Sequence, residues 1–151
     1  MASLLHGGFE RLESIKPAVK IPQPGNRLDI IFHNAGVMEC PEDKKTKQGY
    51  QMELGTNCLG PQLLQNLLDP IFLKTAEKTP RAIQNRLGEF ECSYVCSIGR
   101  VHLSDPEFKE SPVSLKTKYA QSKAINLIQA RQWNFNHPDP KPLVSPCVLD
   151  T

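Results

Sequence analysis

The segment RLDIIFHNAG, residues 27 to 36, limits what this chain can fold into more than any other. Leu28, Ile30, Ile31 and Phe32 put apolar side chains on both parities of an extended backbone, and an Asn and a Gly stop the run. A short strand that is apolar on both faces fits the interior of a parallel sheet covered by helices on both sides. The flanking sequence supplies the helices. Phe9, Leu12, Ile15 and Val19 recur at helical spacing, with Pro17 as a defect near the end and PQPGN as the following turn. After a polar loop over residues 36 to 51, the spacing of Met52, Leu59, Leu63, Leu67 and Ile71 predicts a long helix that Pro61 should kink or divide.

Residues 79 to 91 are amphipathic at best, and CSYVCSIG, residues 92 to 99, reads as a second short strand. A loop containing Pro106 and Pro112 leads into a helix from about Tyr119 to Phe135, whose aromatics, Trp133 among them, are expected in the core. The proline-rich tail closes on LVSPCVL, a third strand. Strand and helix in alternation predict an α/β fold: a partial Rossmann-like, doubly wound parallel sheet in one domain over residues 1 to 151.

Composition excludes several functions. The 151 residues are 39% hydrophobic and 23% charged, enough for a core in a soluble chain, and no stretch nears the roughly 20 apolar residues of a membrane span. The start, MASLLHGGFERLE, becomes charged too early for a secretion signal, so a cytoplasmic location is expected. The net charge of +2 is dispersed, and the basic run DKKTK contains an acid and no aromatics, which disfavours nucleic acid as a partner. Five cysteines at irregular spacing favour free thiols, and Cys92 with Cys96 lacks the second ligand pair of a metal site.

Four sequence features then occur in order: Asn34-Ala35-Gly36 at a strand end, Asn57 in the next helix, Ser97 at the next strand end, and Tyr119 four residues before Lys123. Residues i and i+4 share a helix face, so the tyrosine and lysine can meet. Alone, that pair arises by chance in roughly one chain in five of such composition. The ordered set carries more weight. With SPCVLDT at residues 145 to 151, these stretches resemble the short-chain dehydrogenase/reductase family, in wording closest to its retinol-dehydrogenase-like and fungal NADP-dependent branches.

The resemblance implies an NAD(P)-dependent oxidoreductase that interconverts a hydroxyl and a carbonyl on a small or lipophilic alcohol or ketone, the fungal branch suggesting a fungal metabolic pathway. It gives Tyr119 the acid/base role and Lys123 two tasks, lowering the tyrosine pKa and bonding the nicotinamide ribose. Ser97 would bond the substrate oxygen. Asn57 would hold a water on its main-chain carbonyl, and Pro61, having no N–H, leaves that carbonyl without its usual helix donor. Asn34 would line the cofactor ribose, and Val148 and Thr151 would contact the nicotinamide, with Cys147 standing where relatives carry glycine. His33 replaces a more usual asparagine and reads as a packing or hydrogen-bonding substitution.

Family members begin with a strand, a Gly-rich turn and a helix whose amides hold the cofactor pyrophosphate. No such turn occurs in the sequence: Gly7 and Gly8 in HGGFERL lack the spacing. The chain is therefore expected to lack the first half of the family fold and to stop after its sixth strand. Two other readings stay open: a catalytically inactive remnant or interaction module, and an extended-type sugar-nucleotide epimerase. The helices bearing Asn57 and Tyr119 form the usual dimer surface in relatives, which makes a homodimer an expectation.

Overall fold

The computed structural model describes residues 8–19, 27–78, 85–91, 100–138 and 142–148. Three helices and three parallel strands alternate: α1 (Leu12–Val19), β1 (Ile30–His33), a π-helical turn (Leu54–Leu59) leading directly into α2 (Gly60–Lys78), β2 (Asn85–Glu91), α3 (Leu115–Asn136) and β3 (Pro142–Val148). The strand order is β1-β2-β3, with Ile31 opposite Leu87 and Leu87 opposite Val144. Parallel neighbours need crossover connections, and α2 and α3 lie within them.

β3 carries Pro142 and Pro146 and is an edge strand of the described sheet. Proline donates no ladder hydrogen bond, so an edge is where it is tolerated. The two prolines are four residues apart, so the alternation of the strand puts both on the same side.

One apolar cluster joins all three helices to β1: Ile15 of α1, Ile31 of β1, Leu64, Leu68 and Phe72 of α2, and Ala130 and Trp133 of α3. Phe72 is fully buried and meets Trp133 edge-on, with ring centroids 6.0 Å apart and planes at 61°. Burying a phenyl side chain is worth roughly 1.5–3 kcal/mol, and an edge-on aromatic pair adds about 0.5–1.5 kcal/mol.

Polar contacts brace the same elements. His33 Nε2 lies 3.1 Å from Gln65 Oε1, Gln65 donates to Asp69, and Trp133 Nε1 donates to Asp69 Oδ1 at 3.0 Å. β1, α2 and α3 are thus tied by one hydrogen-bonded chain. His33 is the hydrogen-bonding substitution that its position suggested.

Four expectations need correction. β1 is not buried on both faces: Ile31 is 8% exposed against the helices, while Ile30 is 51% exposed on the opposite face. Alternation sends neighbours to opposite sides, and among the described residues the core lies on the Ile31 side. The second strand comprises residues 85–91, in the segment read as amphipathic at best, because pairing with strands on both sides outweighs weak local propensity. The strand expected at 92–99 lies outside the described residues. On α2 the deeply buried stripe is Leu64, Leu68 and Phe72, one residue on from the expected one, while Leu63, Leu67 and Ile71 are partly buried beside it. Finally, Phe135 is 80% exposed, on the side of α3 away from Trp133.

Candidate active site

The site begins at the π-helical turn. Gly55 N–H donates to Gln51 O at 2.9 Å over an ordinary four-residue span, and Gly60 N–H donates to Gly55 O over the five-residue span of the wider winding. Pro61 has no N–H, so the carbonyl of Asn57 receives no bond from the residue four places on. A divided helix was expected at Pro61, and the division is this turn.

Asn57 is 1% exposed, and its amide is used on both ends. Oδ1 accepts from Val37 N–H at 2.8 Å, and Nδ2 donates to Val37 O at 2.9 Å and to Ser122 Oγ at 2.9 Å. The turn is therefore fastened to the chain just after Asn34-Ala35-Gly36 and to α3. A Cβ on Gly36 would stand 3.0 Å from Asn57 Oδ1 and 3.7 Å from Lys123 Nζ, so only a residue without one fits there comfortably. Lys123 is 6% exposed, and its Nζ lies 5.8 Å from the centroid of the Tyr119 ring. Gly36, Asn57, Tyr119 and Lys123, far apart in sequence, meet at one end of the fold.

The loops that frame this cluster are tied down. Buried Glu53 accepts from Cys40 N–H at 2.7 Å and from the Gln51 amide, fixing the segment that leaves β1. Lys118 pairs with Glu42 at 2.7 Å. Buried Gln121 accepts from His102 N–H and donates to Pro106 O, each at 2.9 Å, holding the loop that precedes α3. In that loop the Asp105 carboxylate accepts from the N–H groups of Lys109 and Glu110, and the first of these bonds chiefly keeps its pKa low.

Burial lowers the pKa of His33, against the opposing effects of its bond to Gln65 and the charge of Asp69. Burial raises that of the Cys40 thiol, and the charge of Glu53 adds to the effect.

The other anticipated residues are dispersed. Asn34 is exposed at the carboxyl end of β1, and Val148 is the last residue of β3, opposite Glu91 of β2. Ser97 and Thr151 lie outside the described residues. Ser122, Gln121 and Glu53 were not singled out from the sequence. The available signal for Ser122 was its place three residues after Tyr119, where a serine hydroxyl can reach back to a main-chain carbonyl.

The described residues fit one end of a nicotinamide dinucleotide. Gly36 leaves room beside the Lys123 ammonium, a donor group suited to ribose hydroxyls, at the carboxyl edge of parallel strands where such sheets take ligands. Among the described residues there is no Gly-rich turn at a helix N-terminus for the pyrophosphate.

No family model matches the chain. It is 36% identical over 118 residues to a short-chain dehydrogenase/reductase of Phomopsis amygdali, an alignment over 74% of this chain and 33% of that protein. It is 34% identical over 119 residues to retinol dehydrogenase 13 of Homo sapiens, over 78% of this chain and 33% of the relative. The chain thus spans about a third of the length of these curated relatives.

Among solved structures, an uncharacterized protein from Mycobacterium Paratuberculosis matches with a TM-score of 0.72 at 22% identity, over 93% of this chain and 47% of that one. A metagenomic short-chain oxidoreductase in complex with NADP matches with a TM-score of 0.64 at 14% identity, over 97% of this chain and 58% of that one. Identities this low speak for the fold alone, and the curated relatives speak for the family. By both its α/β fold and its sequence, the chain belongs to the short-chain dehydrogenase/reductase family.

Proposed function

We propose that this chain carries the acid/base half of an NAD(P)-dependent oxidoreductase site that interconverts a hydroxyl and a carbonyl on a small or lipophilic substrate. The observation that carries the reading is the buried Lys123 ammonium, which shares a helix face with Tyr119 and lies beside Gly36 and Asn57. Few globular folds bury a lysine without a task for it.

In the direction of reduction, a bound NAD(P)H supplies hydride to the carbonyl carbon. The Tyr119 hydroxyl gives its proton to the oxygen as negative charge develops there, and in oxidation the phenolate takes the alcohol proton. Lys123 favours the phenolate through its charge and holds the ribose through its N–H groups. The Asn57 carbonyl, which receives no bond from Pro61, accepts a water that links Lys123 to solvent. Ser97 orients the substrate oxygen, Asn34 lines the ribose, and Val148 and Thr151 face the nicotinamide. In this reading the three parallel strands are part of a doubly wound sheet, the setting is cytoplasmic, and α2 with α3 forms a homodimer surface.

A second reading, a non-catalytic member that serves as an interaction module, is favoured by the exposed Ile30 face of β1. Titration with NADPH, followed by energy transfer from the single tryptophan, Trp133, separates the two. The enzyme reading expects saturable binding, and a folded sample that shows none overturns it. Given turnover, Tyr119→Phe should lower kcat at least about 100-fold with NADPH affinity kept within about twofold. Undiminished turnover would remove Tyr119 from its role.

A further inference from the structure

We propose that Ser122 is the positioning residue that sets Tyr119 and Lys123 against the π-helical turn. The proposal rests on the acid/base reading of that pair and adds a residue to it. Ser122 is 1% exposed, and two successive residues of the turn grip it. Asn57 Nδ2 donates to its hydroxyl at 2.9 Å, and Cys58 Sγ donates to its main-chain carbonyl at 3.1 Å. Its own hydroxyl proton goes to the carbonyl of Tyr119, at 2.7 Å.

The direction of this chain of donors is forced. Val37 N–H donates to Asn57 Oδ1, which fixes the amide with its Nδ2 toward Ser122. An amide nitrogen accepts nothing, so the Ser122 hydroxyl receives from Asn57 and, among the described residues, donates to the Tyr119 carbonyl. A serine that bonds back to a carbonyl one turn earlier tilts that peptide and bends the helix locally. Here the tilted peptide is Tyr119's own, and the next residue along is Lys123. One hydroxyl therefore couples the strand end at Val37, the turn at Asn57 and the backbone that aims both reacting side chains.

The test reads Tyr119 directly and needs no substrate. Phenolate absorbance near 295 nm is titrated in the wild type and in Tyr119→Phe, and the difference isolates Tyr119. The same pair of curves is then taken in Ser122→Ala and Ser122→Thr. Ser122→Cys, close in size to serine and only a weak donor, gives the comparison if the alanine variant does not fold. The expected result is a wild-type midpoint below that of an ordinary tyrosine, moved up by about one unit in the Ala or Cys variant, so that phenolate at a given pH falls about tenfold. Ser122→Thr, which keeps the hydroxyl, should restore it. A lowered wild-type midpoint that stays put in the Ala and Cys variants overturns the role of Ser122 and leaves the acid/base reading standing. A wild-type midpoint at the ordinary tyrosine value overturns that reading, and the proposal with it.

Discussion

Gly36 shows at the scale of one residue how closely the site is built. A methyl group there would stand 3.0 Å from Asn57 Oδ1, an atom that cannot retreat without losing its bond from Val37. Gly36→Ala is therefore expected to destabilise the fold by roughly 1–3 kcal/mol, measured as a lower urea midpoint in circular dichroism. An unchanged midpoint would mean that the Asn57 amide is not held as described. Asn57, Tyr119 and Lys123 were legible in the sequence because their types and order form a pattern. Ser122 and Glu53 were not, although each is as buried as Asn57. A buried polar residue shows its importance only through its partners, and Val37, Cys40 and Asn57 come near only after folding.

Between elements, Trp133 does two things at once: its ring packs on Phe72 and its N–H donates to Asp69. Trp133→Phe keeps most of the ring and loses the donor to a carboxylate, a bond worth roughly 1.5–3 kcal/mol. A loss of stability in that range is expected in urea denaturation followed by circular dichroism, and a loss below about 0.5 kcal/mol would show that the Asp69 bond does little. Helix positions were well anticipated, since long periodic segments carry their own signal, and α3 ends within a residue of its expected end. The buried stripe on α2 was misjudged by one position because two adjacent stripes are apolar and nothing local says which one faces the core. β2 was missed for a related reason. NRLGEFE holds a glycine and two acids, and it is a strand because β1 and β3 pair with it.

For the molecule as a whole, acid should loosen the fold through His33. Burial lowers its pKa, so the folded state favours the neutral ring, while the unfolded chain takes up a proton near pH 6.5. The unfolded state then binds more protons, and stability that is complete above pH 6.5 is lost as the pH falls from there toward the folded-state midpoint, by up to about 1.4 kcal/mol per pH unit. Carboxylates such as Asp105, lowered by main-chain donors, give up their contribution only below about pH 4, so the window from pH 7.5 to 5 isolates the histidine. His33→Gln should flatten the dependence of the urea midpoint on pH in that window, and an equally steep variant would acquit His33.

The π-helical turn has a consequence for the length of the chain. A turn wound more widely than an α-turn lets the backbone hold one residue more in the same space, so Glu53 before it and Leu64 after it follow different angular phases. Removing one residue from 54–59 would let the turn close into ordinary α-winding, with Glu53 and Leu64 keeping their present directions. What would be lost is the bulge itself, and with it the placement of Asn57 between Val37 and Ser122. The extra residue of the turn therefore serves the site rather than the core, and a one-residue deletion here should cost the Asn57 bonds before it costs the packing of α2.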